Sequence, residues 1–234
     1  MGLLLTTKGI LDTGRISVGT LVDGALGRLD LERSDARLRW WSEKLLRDAE
    51  VELVVRGREN DPIGEPLVVV SNHQSLYDIP TLFCAVSGRL RMVAKSELFM
   101  VPIWGRAMLA SGFVRIDRSD KDKAIASLRE VGGALLKTGT RVWVAPEGTR
   151  SKTGELGPFK GGAFRMALDL DVRILPVAID GTRRILPAKG ASVTPGQRVT
   201  VTLLPAIDPR QFGEARRSEL MDEVRRGIAG ALAS

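Results

Sequence analysis

Hydrophobic and polar residues follow two different patterns along this chain of 234 residues. In the first fifty residues, apolar side chains such as Leu21, Val22 and Ala25 recur at helical spacing among charged ones. From residue 50 onward, short runs rich in β-branched residues alternate with segments of helical periodicity. The pattern predicts a helical segment over 1–48 and an α/β domain over 49–234.

The second region is predicted to contain seven strands and five helices. The strands are expected at 51–55, 67–70, 90–94, 113–116, 142–145, 174–179 and 199–204, and the helices at 79–86, 98–109, 123–136, 163–170 and 216–232. The strands near 67 and 174 are apolar on both faces, which is typical of strands buried inside a sheet. This alternation predicts an α/β fold with a mixed β-sheet flanked by helices.

The amphipathic N-terminal segment has two open interpretations. Trp40 and Trp41 stand next to each other among charged residues. Such a pair suits a membrane interface, where the ring is buried and the N–H stays wet. It suits equally a helix that packs on the protein's own core. No stretch of about 18 residues is apolar enough to cross a bilayer, so a membrane-associated segment is expected to lie on the surface.

Charge and composition narrow the kinds of site. The net charge is +7, and residues 89–165 alone carry fifteen basic and seven acidic side chains. A concentrated positive field suits an anionic partner, although a solvated surface is equally compatible with it. A single histidine excludes a zinc site with several histidines. A single cysteine, Cys84, excludes an internal disulfide, and its apolar neighbours favour a buried, inert thiol.

Candidate chemistry follows directly after the strand at 67–70. His73 and Asp78 lie five residues apart, which on a continuous helix would place them about 140° apart. A turn after the strand would bring the carboxylate back to the ring, fix the tautomer of His73 and stabilise its imidazolium form. Asp78 before Ile79 and Pro80 is equally a good helix N-cap. The spacing alone leaves both interpretations open.

Several further segments carry a resemblance to the glycerolipid acyltransferase family, and to its lysophosphatidic acid acyltransferases in particular. Four blocks match in order, namely 72–78 (N-H-x-S-x-x-D), 112–118 (G-x-x-x-[IV]-[DN]-R), 146–151 (P-E-G-T-R-S) and 175–179 (similar to V-P-V-A-I). Residues 95–98 and 159–162 also resemble the family's K-x-E-L and F-K-x-G segments. The resemblance covers residues from about 50 to 205 and implies a fold like that of the glycerol-3-phosphate acyltransferases.

The resemblance implies roles for the two residues of the first block. His73 would be the general base that takes the proton from an acceptor hydroxyl, and Asp78 would orient it. The hydroxyl would attack an acyl-CoA or acyl carrier protein thioester, converting lysophosphatidic acid to phosphatidic acid without a metal or redox cofactor. Backbone N–H groups of the loops at 72–78 or 146–151 are candidates for the oxyanion hole.

The resemblance also implies an acceptor-phosphate site. Lys95, Arg115 and Arg150 lie in matching blocks and would hold the phosphate, since guanidinium and ammonium groups suit a phosphomonoester. Glu147 and Gly148 would shape that site. For Arg115 a second interpretation stays open, because it alternates with apolar neighbours and would also fit the exposed side of a strand.

The expected partners are the acyl donor, a membrane lipid acceptor and a membrane surface at the cytoplasmic face, with peripheral or monotopic attachment and no nucleic acid. The alternatives keep the chemistry but change the acceptor to glycerol 3-phosphate, a lyso-ornithine lipid or another lysophospholipid. A different class of function, a non-catalytic basic protein that binds anionic lipid, would make His73 dispensable.

Overall fold

A seven-stranded sheet forms the centre of the molecule. The structure is a computed structural model that describes residues 1–117 and 120–233, without the side chains of residues 121 and 122. The strands are β1 (Glu52–Arg56), β2 (Val68–Ser71), β3 (Leu90–Lys95), β4 (Val114–Ile116), β5 (Arg141–Val144), β6 (Ile174–Asp180) and β7 (Arg198–Leu203). Their order is β1-β7-β6-β2-β5-β3-β4. The five strands from β6 to β4 are parallel, and β7 runs antiparallel to β6 with β1 parallel to β7.

Helices cover both faces of this sheet. The α-helices in the described part of the chain are α1 (Gly2–Ala25), α2 (Leu31–Asp48), α3 (Asp78–Ala85), α4 (Trp104–Ala110), α5 (Lys121–Ser127), α6 (Gly133–Lys137), α7 (Gly162–Asp169), α8 (Thr182–Ile185) and α9 (Arg217–Leu232). A π-helical turn joins α5 to α6, and short 3₁₀ turns lie at Arg58–Asn60, Ser96–Met100, Pro209–Gln211 and Glu214–Arg216. The predicted mixed sheet flanked by helices is confirmed.

The central strand β2 shows why the apolar runs form buried strands. Val68, Val69 and Val70 have no exposed surface, since β6 and β5 flank the strand and helices cover both faces. Val69 belongs to the core beneath α2, α3 and α4, whereas Val68 and Val70 belong to the core beneath α5, α7 and α9. Side chains of a strand alternate between faces, so each apolar residue of β2 supplies one core or the other.

All seven strands and four of the five helices predicted for this region are present, and every strand end lies within one residue of its prediction. The single helix predicted over 98–109 is wrong. A 3₁₀ turn over Ser96–Met100 precedes α4, and Ile103 between them has a φ of +66°. A β-branched residue in this conformation is strained, so the chain turns sharply before Trp104 instead of continuing as one helix.

The helix α2 shares the main core with the sheet. Its Leu38 and Leu46 are buried in the core cluster that includes strand residues. Asp35 of α2 also forms an ion pair with Arg91 of β3 at 2.6 Å, and Arg91 has no exposed surface. Because both contacts join α2 to the sheet, this helix is part of the packed body of the protein.

The helix α1 directs polar side chains inward. Asp12 forms an ion pair with Lys44 of α2 at 2.9 Å, and Thr13 accepts a hydrogen bond from the indole N–H of Trp41 at 3.0 Å. The indole N–H of Trp41 is therefore bonded within the protein, which differs from the wet N–H expected for a membrane interface. Trp40 is partly exposed, with the guanidinium of Arg15 5.6 Å from its ring centroid.

Among the helices that the structure describes, none combines the length and the apolar character needed to cross a membrane.

One buried ion pair lies at the amino edge of the parallel strands and gives a test of stability. Arg141, at the start of β5, pairs with Asp61 in the loop before β2, and both side chains are almost fully buried. We expect Asp61→Ala to lower the free energy of unfolding by about 3–5 kcal/mol, because it leaves a buried guanidinium without its counter-ion. Urea denaturation measures this value. Glu52→Ala, which breaks the exposed pair with Arg198, should cost less than about 1 kcal/mol, and equal losses would contradict the prediction.

Candidate active site

The loop between β2 and α3 brings the two predicted residues together. The Nδ1 atom of His73 lies 2.6 Å from Oδ2 of Asp78. Asp78 is the first residue of α3, Tyr77 occupies the N-cap position, and no side chain caps this helix. The interpretation of Asp78 as a helix cap is therefore wrong, because its carboxylate turns back to the preceding loop and the histidine ring.

The carboxylate of Asp78 is fully buried and accepts four hydrogen bonds. Its Oδ2 accepts from His73, from the backbone N–H of Gln74 at 2.7 Å and from that of Ser75 at 3.0 Å, while Oδ1 accepts from the hydroxyl of Thr182. Burying a carboxylate is costly unless it is paired and hydrogen-bonded. These donors offset that cost and hold the carboxylate in one orientation.

The orientation of His73 follows from this pairing. Since an ionised carboxylate only accepts, Nδ1 of the ring carries the proton of this hydrogen bond, and Nε2 is the ring nitrogen that remains for a substrate. Among the residues that the structure describes, Nε2 has no hydrogen-bond partner, and the side chain is 16% exposed. The ring of Trp143 packs edge-on against the imidazole, with 5.8 Å between centroids. The ring of His73 is therefore held in one orientation, with Nε2 as the nitrogen that no described residue binds.

The loop at 146–151, which follows β5, clamps the backbone of His73 on both sides. The N–H of His73 donates to Oε1 of Glu147 at 2.8 Å, and its carbonyl accepts from the N–H of Ser151 at 2.7 Å. The other oxygen of Glu147 accepts from the N–H of Gly157 at 2.9 Å. Both carboxylate oxygens thus bind backbone amides, so Glu147 joins three loop segments of the site.

Gly148 adopts a conformation that few other residues could take. Its φ is +71°, and a Cβ atom at this position would lie 2.9 Å from Nζ of Lys160. The left-handed backbone and the crowding both favour glycine. The chain therefore turns at Gly148, between Glu147, which binds the backbone of His73, and Arg150.

The three predicted phosphate-binding cations lie at the same edge of the sheet. Lys95 is the last residue of β3, Arg115 lies in the middle of β4, and Arg150 lies in the loop after β5. The ammonium of Lys95 contacts Glu97 at 2.8 Å, and this hydrogen bond lowers the pKa of Glu97. Within residues 1–117 and 120–233, neither Arg115 nor Arg150 has a carboxylate within 4.0 Å.

The backbones of these three cations belong to different strands and loops. At about 4.8 Å per strand, β3 lies about 10 Å and β4 about 14 Å from β2. Arg115 pairs in register with Ala94, so it projects from the opposite face of the sheet to Lys95. Arg150 precedes Ser151, whose backbone N–H donates to the carbonyl of His73. Of the three cations, Arg150 therefore has its backbone nearest to His73. Arg118, the last residue of the block at 112–118, lies outside the described residues.

Three residues that support the pair were not assigned a role from the sequence. Asn72 exchanges two hydrogen bonds of 2.8 Å with the backbone of Ile179, and Gln74 donates to the same carbonyl at 3.1 Å. They attach the histidine loop to the end of β6, where Thr182 follows. Asn72 and Gln74 lie inside the first matching block, which was the available signal. No local pattern marks Thr182.

Two other ionisable side chains lie close to the pair in sequence, Tyr77 and Cys84, and burial keeps both of them protonated. Burial raises the pKa of the Cys84 thiol to about 11 and that of Tyr77 to about 12. Cys84 therefore stays a thiol at neutral pH, as the sequence predicted. In the described part of the chain, no three His, Cys, Asp or Glu side chains are arranged to hold a metal ion.

Fold and site together define an α/β protein built around a buried histidine–aspartate pair at the carboxyl edge of a mainly parallel sheet. The family model described as Acyltransferase matches residues 52–180, which contain both members of the pair. The chain belongs to this acyltransferase family, as the sequence blocks predicted.

Relatives and a solved structure agree with this assignment. The chain is 35% identical over 178 residues to human 1-acyl-sn-glycerol-3-phosphate acyltransferase alpha, a match that covers 76% of this chain and 62% of the relative. It is 38% identical over 179 residues to the Arabidopsis thaliana chloroplastic enzyme LPAT1, covering 76% and 48%. The chain thus spans less than two thirds of the length of these relatives.

The crystal structure of the 1-acyl-sn-glycerophosphate (LPA) acyltransferase PlsC from Thermotoga maritima superposes with a TM-score of 0.79 at 28% identity, covering 100% of this chain and 97% of that one. The similarity therefore includes the N-terminal helices as well as the sheet.

The hydroxyl of Thr182 gives a test of the pair that does not depend on activity. We expect Thr182→Val to lower the free energy of unfolding by about 1–3 kcal/mol, because it leaves a buried carboxylate oxygen without a donor. The Nδ1 proton of His73 should also exchange faster with water, which is measurable by NMR as the signal of the chain's single histidine. Thr182→Ser keeps the hydroxyl and is the matched control. Identical behaviour of the two variants would contradict the prediction.

Proposed function

We propose that this protein transfers an acyl chain from a thioester donor, acyl-CoA or acyl carrier protein, to the sn-2 hydroxyl of lysophosphatidic acid, with phosphatidic acid as the product. The observation that carries the proposal is the His73–Asp78 pair, whose remaining nitrogen Nε2 is unoccupied by the described residues. The names of the relatives and of the solved neighbour support the choice of acceptor.

The chemistry needs one proton transfer in each direction. Nε2 of His73 takes the proton from the acceptor hydroxyl as its oxygen attacks the thioester carbonyl carbon, and Asp78 stabilises the imidazolium that forms. The tetrahedral intermediate then collapses, the carbon–sulfur bond breaks, and the thiolate takes the proton from the imidazolium. Every group returns to its starting state, so the pair serves as a true catalyst.

The hydrogen bonds of the loops narrow the choice of oxyanion-hole donors. The backbone amides of Gln74, Ser75 and Ser151 are already used inside the protein. The amides of Thr149 and Arg150 donate to no acceptor in the part of the chain that the structure describes. We assign the oxyanion hole to these two amides, because they belong to the loop that clamps His73.

We propose that the acceptor phosphate binds beside Arg150. In lysophosphatidic acid only a few bonds separate the phosphate from the sn-2 hydroxyl, so the cation that binds it has to stand close to Nε2. Arg150 adjoins Ser151, the residue bonded to the carbonyl of His73. Lys95 and Arg115 belong to strands farther from β2 and would extend the positive surface on that side.

We also propose that the protein binds a bilayer surface peripherally, through the outer face of α1 and the turn before α4. Most of the exposed side chains of α1 are apolar, whereas its three buried residues, Asp12, Ser17 and Thr20, are polar. A helix on a protein surface usually has the opposite arrangement. The exposed set comprises Leu3, Leu4, Ile10, Leu11, Val18 and Val22, continued by Met100, Val101 and Ile103. The turn containing Met100 follows the carboxyl end of β3, which is the edge that carries His73.

The activity is tested by replacing His73. We expect His73→Ala to lower kcat for lysophosphatidic acid by about 10²–10⁴-fold, because the general base is lost. Transfer of a labelled acyl chain to a panel of acceptors measures it, with glycerol 3-phosphate, a lyso-ornithine lipid and lysophosphatidylcholine as the competing acceptors. Cys84→Ala is the control and should stay fully active. Full activity of the His73 variant would refute the mechanism. If the wild type prefers another acceptor of the panel, that acceptor replaces lysophosphatidic acid as the proposed substrate.

Membrane association is tested by charging the exposed apolar surface. We expect Leu11→Glu and Met100→Glu each to weaken binding to vesicles of phosphatidylcholine and phosphatidylglycerol by about tenfold or more, since burial of such a side chain contributes about 1.5–3 kcal/mol. Vesicle co-sedimentation measures the binding. Ile63→Glu, in the exposed loop at the opposite edge of the sheet, is the matched control. Equal binding by all three variants would refute this surface.

A further inference from the structure

Arg183 is an exposed cation whose backbone lies on the opposite side of β2 from the strands that carry the acceptor-phosphate residues. It lies in α8, which follows β6, and β6 borders β2 on one side. The strands β5, β3 and β4, with Arg150, Lys95 and Arg115, lie on the other side of β2. The side chain of Arg183 nevertheless reaches the loop after β5, where it binds the carbonyl of Lys152. Arg183 and Lys152 are thus two exposed cations beside this loop to which the acceptor site gives no role.

The guanidinium of Arg183 is held in position by the loop at 151–154. Its Nε and Nη2 donate to the carbonyl of Lys152 at 3.2 and 3.1 Å. Its side chain also covers Gly154, where a Cβ atom would lie 3.5 Å from Cδ of Arg183. A fixed guanidinium loses less freedom when it binds an anion, which makes it a better site than a mobile one.

This cation has no counter-ion in the described part of the protein. Neither Arg183 nor the ammonium of Lys152 lies within 4.0 Å of a described carboxylate, and the only acceptor for Arg183 is a neutral carbonyl. The next residue, Arg184, differs in this respect, because it pairs with Asp180 at 3.2 Å. Two neighbouring arginines on one short helix thus differ in whether their charge is compensated.

Two hydrogen bonds fix the position of these cations relative to the reacting centre. Thr182, which precedes Arg183, donates to Asp78, and Ser151, which precedes Lys152, donates to the carbonyl of His73. Arg183 and Lys152 are therefore each adjacent in sequence to a residue that is hydrogen-bonded to Asp78 or His73. Both residues are exposed, so a ligand in solution can reach their side chains.

The two substrates need cations at different distances from Nε2. The acceptor phosphate is a few bonds from the reacting hydroxyl, so it binds close to the histidine. In an acyl thioester of coenzyme A or of a carrier protein, a whole pantetheine arm separates the reacting carbonyl from the nearest phosphate. A cation for the donor phosphate is therefore expected farther out, on the exposed surface around the site. Lys152 and Arg183 are exposed, whereas Arg150 is only partly exposed.

We propose that Arg183 and Lys152 bind the phosphate at the end of the donor's pantetheine arm, the group that coenzyme A and acyl carrier protein share. The guanidinium would form charge-assisted hydrogen bonds to the phosphate oxygens, and the ammonium would add a second charge. This subsite rests on the proposed function, because it assumes a thioester donor of this chemistry.

The kinetic test compares donors with and without a phosphate. We expect Arg183→Ala to raise KM for acyl-CoA about tenfold while KM for the acceptor and kcat at saturation stay within twofold, with a smaller effect of about threefold for Lys152→Ala. Arg184→Ala is the matched control and should behave like the wild type. With an acyl N-acetylcysteamine thioester, which has no phosphate, wild type and Arg183→Ala should be equal. An equal loss with this donor, or no change with acyl-CoA, would overturn the proposal.

Acyl carrier protein as donor distinguishes the two sources of the phosphate. A rise in KM with both donors supports binding of the shared phosphate, whereas a rise with acyl-CoA alone would overturn that assignment in favour of the nucleotide phosphates.

Calorimetry separates failure of the subsite from failure of the proposed function. We expect phosphopantetheine to bind about tenfold more weakly to Arg183→Ala than to the wild type, and pantetheine to bind both equally. If the binding follows this pattern but the wild-type protein shows no acyl transfer, the phosphate subsite stands and the proposed function is refuted. Equal binding of phosphopantetheine to both proteins, with active transfer in the wild type, would refute the subsite alone.

Discussion

The buried carboxylate of Asp78 is the constraint on which the rest of the site depends. A charge with no exposed surface is tolerated only where enough donors surround it, and here they come from two parts of the chain. The loop after β2 supplies the ring of His73 and two backbone amides, and the segment after β6 supplies the hydroxyl of Thr182. Satisfying this one side chain orients the histidine and joins two neighbouring strands.

A second carboxylate, that of Glu147, connects the loop after β5 to the histidine. Glu147 follows β5 and binds the backbone amide of His73 with one oxygen and that of Gly157 with the other. The histidine is thus supported through its side chain by Asp78 and through its backbone by the loop after β5. Both carboxylates thus hold His73 in position. They can reach it because the parallel strands β6, β2 and β5 end at the same edge of the sheet.

Cations from two different loops lie close together at this edge. Arg183 extends from α8, which follows β6, to the carbonyl of Lys152 in the loop after β5 that also carries Arg150. The outward side of α1 and the turn at Met100 carry exposed apolar residues, and this turn follows β3 at the same edge of the sheet.

The sequence by itself determined the alternation of strands and helices and the blocks around His73 and Glu147, because hydrophobic period and short motifs are local properties. It left the role of Asp78 open and predicted one helix where Ile103 instead forms a strained turn. Only the tertiary structure decided that Asp78 turns back to the ring, that Lys95 and Arg115 project from opposite faces, and that Thr182 completes the carboxylate's shell. These relations depend on register, strand order and contacts between residues about a hundred positions apart, such as Asp78 and Thr182, which no local pattern records.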